Sequence, residues 1–146
     1  MKKSIQYATA IFQNANVGMQ SINDILPKVE DEDLARELRE EYAEYERISE
    51  KLKNFAIKND FELKENNFFE KAKMWISINM STLANNTTRH IAELLLLGSA
   101  MGLTTCYKDK FDHKNTNSEL DEILDELETI QETNFDRIKT FLKDMS

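Results

Sequence analysis

The stretch NNTTRHIAELLLLGSAMG, residues 85–102, decides how this chain is read. Thr87, His90, Leu94, Leu97 and Met101 recur at spacings of three and four, the repeat of one α-helical face. With Leu94, Leu95, Leu96 and Leu97 in a row, the helix is apolar nearly all round. Such a helix is either buried centrally or shared with a second subunit. Asn85, Asn86, Thr87 and Thr88 are weak helix formers, so a break or bend is expected where they cluster. His90 stands three residues ahead of Glu93, on the same helical face, and raises the question of a metal site.

Working outward, the same spacing recurs three more times. Ile5, Ala8, Phe12, Ala15, Met19, Ile22 and Leu26 form a continuous stripe that Pro27 ends. Leu34, Leu38, Glu41, Tyr45, Ile48, Leu52 and Phe55 form a second, with Asp31 or Asp33 as its N-cap and Glu41 on its apolar face. The segment containing His90 is predicted to run from about Asn67 to Tyr107 or Phe111, adding Ile76, Met80 and Leu83 to its stripe. After the loop DHKNTNS, capped by Asn117 or Ser118, come Leu120, Leu124, Leu127, Gln131, Asn134, Ile138 and Phe141. Glycine (3) and proline (1) are too scarce for a sheet protein of 146 residues. The expectation is an all-α chain, one domain over 1–146, folded as an antiparallel up-down-up-down four-helix bundle.

Charge follows the same layout. The second helix opens on EDEDLARELREE and closes with Lys51, Lys53 and Lys58. The fourth is acidic and free of bases from Asn117 to Asp136, then gains Arg137, Lys139 and Lys143. Acid early and base late complements the helix dipole, so these runs read as solvated faces. A net charge of −8 with no basic stripe excludes nucleic acid as a partner. No window reaches the ~20 apolar residues of a membrane span, and the N-terminal run is interrupted by Gln6, Thr9, Gln13 and Asn14, unlike a signal peptide. The single cysteine, Cys106, cannot form an internal disulfide and lacks an activating base in its neighbourhood. It reads as a small buried thiol in a reducing compartment, which places the protein in the cytoplasm.

The helix pattern, RHIAELLLLGSAMG and the acidic last helix together resemble small bacterial proteins of the ferritin-like, rubrerythrin-related type, over about Ser4 to Phe141. The resemblance implies a ferritin-like bundle and, in active members, iron-dependent redox or peroxide chemistry, with Glu41, His90 and Glu93 as the matching positions. A two-iron bundle needs one Glu from each of two helices and a Glu-x-x-His pair from each of the other two. The first helix has no Asp, Glu or His from Ser4 to Asn23, the fourth has no histidine, and the third has the pair reversed, His90 before Glu93. A complete di-iron site is therefore absent from the sequence. A mononuclear site of Glu41, His90 and Glu93 is the alternative, with Glu44 or Glu128 as a further donor and a divalent metal such as iron as cofactor.

Against that stands a polar layer in which Glu41 and His90 are satisfied by Thr87, Gln131 and Asn134, fixing helix register without a cofactor. His113, beside Asp112 in a polar loop, is expected to be solvated. Gly98 and Gly102, one turn apart, permit close approach of another backbone. They support tight packing within the bundle and also a homodimer through the apolar helix 67–107, where Phe68, Phe69 and Trp75 add bulk. With no catalytic triad and no glycine-rich phosphate cradle, the sequence favours a non-catalytic bundle acting through a protein or small-ligand contact. The alternative is a degenerate metal-binding redox or stress protein.

Overall fold

In the computed structural model, residues 1–64, 70, 73, 74, 77 and 87–145 are described. Four long helices pack together: α1 (Lys2–Ile25), α2 (Glu32–Lys58), α3 (Thr88–Asp112) and α4 (Ser118–Asp144). No strand occurs among the described residues.

The helix ends follow from local chemistry. Asp31 accepts a hydrogen bond from the Leu34 amide at 2.9 Å and Asn117 accepts one from Leu120 at 3.0 Å, each satisfying an otherwise unpaired N–H of the first turn. Thr87 does the same for His90 at 3.2 Å, so the cluster of weak helix formers resolves as the cap of a new helix. The earlier part of the expected third helix, with Phe68, Phe69, Trp75, Ile76, Met80 and Leu83, lies outside the described residues. At the other end of α2, Asp60 takes a left-handed conformation, with φ 58°. The Phe61 amide then reaches back to the Ala56 carbonyl at 3.0 Å, and its ring meets Phe55 edge-on at 5.9 Å. This is a Schellman-type stop sealed by an apolar contact.

Cross-helix pairs give the direction of each element. Asn16 meets Ser49, and Gly18 lies against Tyr45, so α1 and α2 run oppositely. Lys110 meets Asp125 and Glu128, and Cys106 meets Gln131, so α3 and α4 do too. Tyr7 meets Asp121 and Asn14 meets Gln131, so α1 and α4 run together. Lys58 with Glu119, Lys51 with Glu126 and Arg137 with Glu37 set α2 against α4. Among the described helices the order is up, down, down, up, where the sequence suggested strict alternation of four. That expectation assumed a short link after Lys58, whereas α3 begins only at Thr88 and at the opposite end of the bundle from the end of α2.

The core is one cluster running through all four helices, with Ile11, Leu38, Ile48, Leu52, Ile91, Leu124 and Leu127 among its fully enclosed members. The α2 stripe is buried throughout, Glu41 included. The α3 stripe is not. Leu97 and Met101 face outward, and Ile91, Leu95, Cys106 and Asp109 face in. Because the helix is apolar all round, its sequence carried little information about which side would be covered.

Candidate functional site: a groove between α1 and α3

Short side chains line the facing surfaces of α1 and α3. Ala10, Asn14, Val17, Gly18 and Ser21 on α1 look toward Gly98, Ser99, Gly102 and Thr105 on α3. Two larger groups from the other helices prevent the gap from closing. The Tyr45 ring lies so near α1 that a Cβ on Gly18 would stand 2.9 Å from it, and a Cβ on Gly102 would stand 2.6 Å from Gln131 Nε2. Gly98 has nothing within 4 Å of its Cβ position and borders open space. The result is a cavity of about 580 Å³ that runs from Ala10 and Asp109 at one end to Ile25, Leu94 and Leu95 at the other. Its volume is in the range of small-molecule sites.

Amide and thiol groups from three helices meet at the Gly102 level of the floor. Gln131 Nε2 donates to Asn14 Oδ1 at 3.0 Å, and Asn14 Nδ2 donates to the Gly102 carbonyl at 3.2 Å and to Cys106 Sγ at 3.4 Å. The Cys106 thiol completes the circuit by donating to Gln131 Oε1 at 2.9 Å. Burial, with the negative charges of Asp109 and Glu128 nearby, pushes that thiol up to about 12. It is therefore a hydrogen-bonding core group at neutral pH, with no thiolate to act as a nucleophile.

Two carboxyl groups also line the groove. Glu41 is 4% exposed, and its Oε2 makes no hydrogen bond. Burial is the main reason its carboxyl holds a proton well above the usual range, aided by the charges of Glu37 and Glu44 and opposed by Arg137. A protonated glutamic acid in an apolar wall can donate as well as accept. Tyr45 beside it is likewise kept in the phenol form by burial and by Glu41. At the other end Asp109 is 5% exposed with Oδ2 unbonded, and burial raises it to about 6 despite the opposing pull of His113 and Lys108.

The residues expected to bind metal are not gathered here. His90 Nδ1 lies 3.6 Å from Glu93 Oε2, but both side chains are partly exposed, and Glu93 also pairs with Arg89 at 3.2 Å. Glu41 is instead surrounded by Glu37, Glu44 and Arg137. Glu128 is engaged by Lys110 at 2.5 Å, and Arg137 stands 4.0 Å from Glu44. Among the described residues no three His, Cys, Asp or Glu side chains are placed to hold a metal ion. These donors do not fit the iron pair that the resemblance implies, which needs converging carboxylates and imidazoles.

The polar layer also differs in membership from the one read in the sequence. Gln131 belongs to it, but with Asn14 and Cys106. Thr87 caps α3, and Asn134 is buried with neither amide atom hydrogen-bonded. His113 is not simply solvated: its ring stacks on Tyr7 at 4.8 Å, nearly parallel. Asn14 and Asp109 were missed. Asn14 was legible as part of a second α1 stripe, Tyr7, Ile11, Asn14, Gly18 and Ile25, whereas nothing in the sequence marks Asp109 as inward-facing.

Compared with family models, with curated proteins and with solved structures, the chain has no match.

Proposed function

We propose that this chain is a non-catalytic binding protein that seats an apolar or amphipathic small molecule lengthwise between α1 and α3. The observation that carries this reading is the groove itself. It has apolar walls and small facing residues, and buried oxygens of Glu41 and Asp109 are left without a partner, one toward each end. An unbonded polar atom in a core costs on the order of 1–3 kcal/mol, and a ligand that supplies the missing bond recovers it. In this reading the bundle follows the ferritin-like plan of two antiparallel helix pairs, without that plan's iron chemistry. The protein carries its ligand in the cytoplasm.

The test is saturable binding of an uncharged fluorescent apolar probe such as N-phenyl-1-naphthylamine. One probe per chain is expected, weakened at least tenfold in Gly98→Phe, whose ring would enter the open space beside Gly98. Absence of saturable binding, or binding indifferent to that substitution, overturns the reading.

A second reading is favoured by the outer face of α3, where Leu97 and Phe111 are 55% and 71% exposed, with Met101, 56% exposed, between that face and the groove it also lines. There a second copy of the chain packs on α3, and the protein works as a dimeric adaptor. Light scattering across a concentration series separates the two readings, since a monomer at high concentration removes the dimer.

A further inference from the structure

Among the described residues, the groove's buried unbonded polar atoms are of one chemical kind. The Ser21 and Thr105 hydroxyls are engaged by carbonyls of their own helices, Val17 and Met101, at 2.7 and 3.0 Å. Asn14 and Gln131 bond to each other and to Cys106. The lining atoms that are buried and unbonded among the described residues are Glu41 Oε2 and Asp109 Oδ2. Both are carboxyl oxygens, and they stand toward opposite ends of the cavity.

Building on the binding role proposed above, we infer that the groove selects its ligand by charge. It takes a protonated aliphatic amine, with the ammonium at Asp109 and the chain directed toward Ile22, Ile25, Leu94 and Leu95, in preference to a carboxylate of the same length. Fifteen residues of helix separate Asp109 from Leu94, about 22 Å at the α-helical rise, so the site is long enough for an extended alkyl chain.

The surroundings of Asp109 agree with this assignment. Lys108, on the same helix, is occupied by Asp112 at 3.3 Å. On α1, Tyr7 gives its hydroxyl to Asp121 at 2.6 Å, and its ring is covered by His113. Lys110 is held by Asp125 and Glu128. The nearby lysines are therefore matched by acids. His113 and Lys108, which also lines the groove, pull on Asp109 against Asp112, yet Asp109 Oδ2 is left without a hydrogen bond on the groove wall. An ammonium there would supply the missing donor, whereas a carboxylate would bring like charge beside it. The acid's raised pKa, about 6, is what an unpaired buried carboxyl should show, and it leaves the group ionised at neutral pH.

The test is displacement of N-phenyl-1-naphthylamine by decylamine, decanol and decanoate, each below its micellar concentration and at moderate salt to suppress surface adsorption. Decylamine should displace the probe at about tenfold lower concentration than either of the others. In Asp109→Asn the advantage over decanol should vanish while the probe still binds. With the unaltered chain, the same advantage should shrink as pH falls from 7.5 to 5 and Asp109 takes up its proton, a readout that needs no variant to fold. Decanoate competing as well as decylamine, or an amine advantage indifferent to both pH and Asp109→Asn, overturns the charge selection and leaves the binding role standing. Failure of the probe to bind at all overturns the binding role itself.

Discussion

Glu41 behaves differently from every other glutamate on α2. Its neighbours on the helix surface are exposed or paired, while it is enclosed and kept protonated by burial. A carboxyl whose folded pKa lies above its unfolded value contributes stability that is complete below the unfolded value and lost as pH rises toward the folded one. The thermal midpoint should therefore fall from pH 4.5 up to about 9. In Glu41→Gln, which keeps the shape and cannot ionise, the fall in midpoint should be markedly smaller at the alkaline end. Thermal denaturation of both chains across that pH range checks this, and parallel curves would refute it.

The glycines of α3 divide at the same scale. Gly98→Ala meets open space and should stabilise by up to ~1 kcal/mol through helix propensity. Gly102→Ala displaces Gln131 from Asn14 and Cys106 and should cost about 1–3 kcal/mol. Urea denaturation of the two variants reads the opposite signs.

At the scale of the elements, caps and stripes differ in how far the sequence foretold them. Asp31 and Asn117 cap where acid or amide residues precede an apolar repeat, and the stripe from Leu34 to Phe55 is buried as read. A helix with one apolar face and three charged ones has a single way to lie against its neighbours. The helix capped by Thr87 has no such asymmetry, and its buried side was settled by its partners: Gln131 packs against Gly102, and Asn14 donates to the Gly102 carbonyl and to Cys106. The candidate site was legible only in part for the same reason. Glu41 was visible as an acid on an apolar stripe and Asn14 lay on a second stripe of α1, but Asp109 depends on the angle at which α3 turns. Thr87→Ala should lower stability by about 1 kcal/mol through loss of the hydrogen bond to the His90 amide. Denaturant titration would show it, and loss of the amide's slowed hydrogen exchange would localise it.

For the whole molecule, the most extensive packing is within two helix pairs, α1 with α2 and α3 with α4. The pairs are joined by the shared apolar core and, along its edges, by the Asn14–Gln131–Cys106 circuit and the exposed ion pairs between α2 and α4. Exposed ion pairs contribute little each and are screened by salt, so raising ionic strength should lower the urea midpoint only slightly. Leu97→Lys combined with Met101→Lys should leave the fold intact, because both side chains are exposed. If a second copy covers them, the double variant should also abolish any concentration-dependent rise in scattering mass.

The up, down, down, up order has a mechanical corollary. Two antiparallel helix pairs that share one core can shift slightly against each other while each helix keeps its own backbone hydrogen bonds. The groove lies along the seam between the pairs, so a small rotation of one against the other would widen or narrow it with no helix having to unwind.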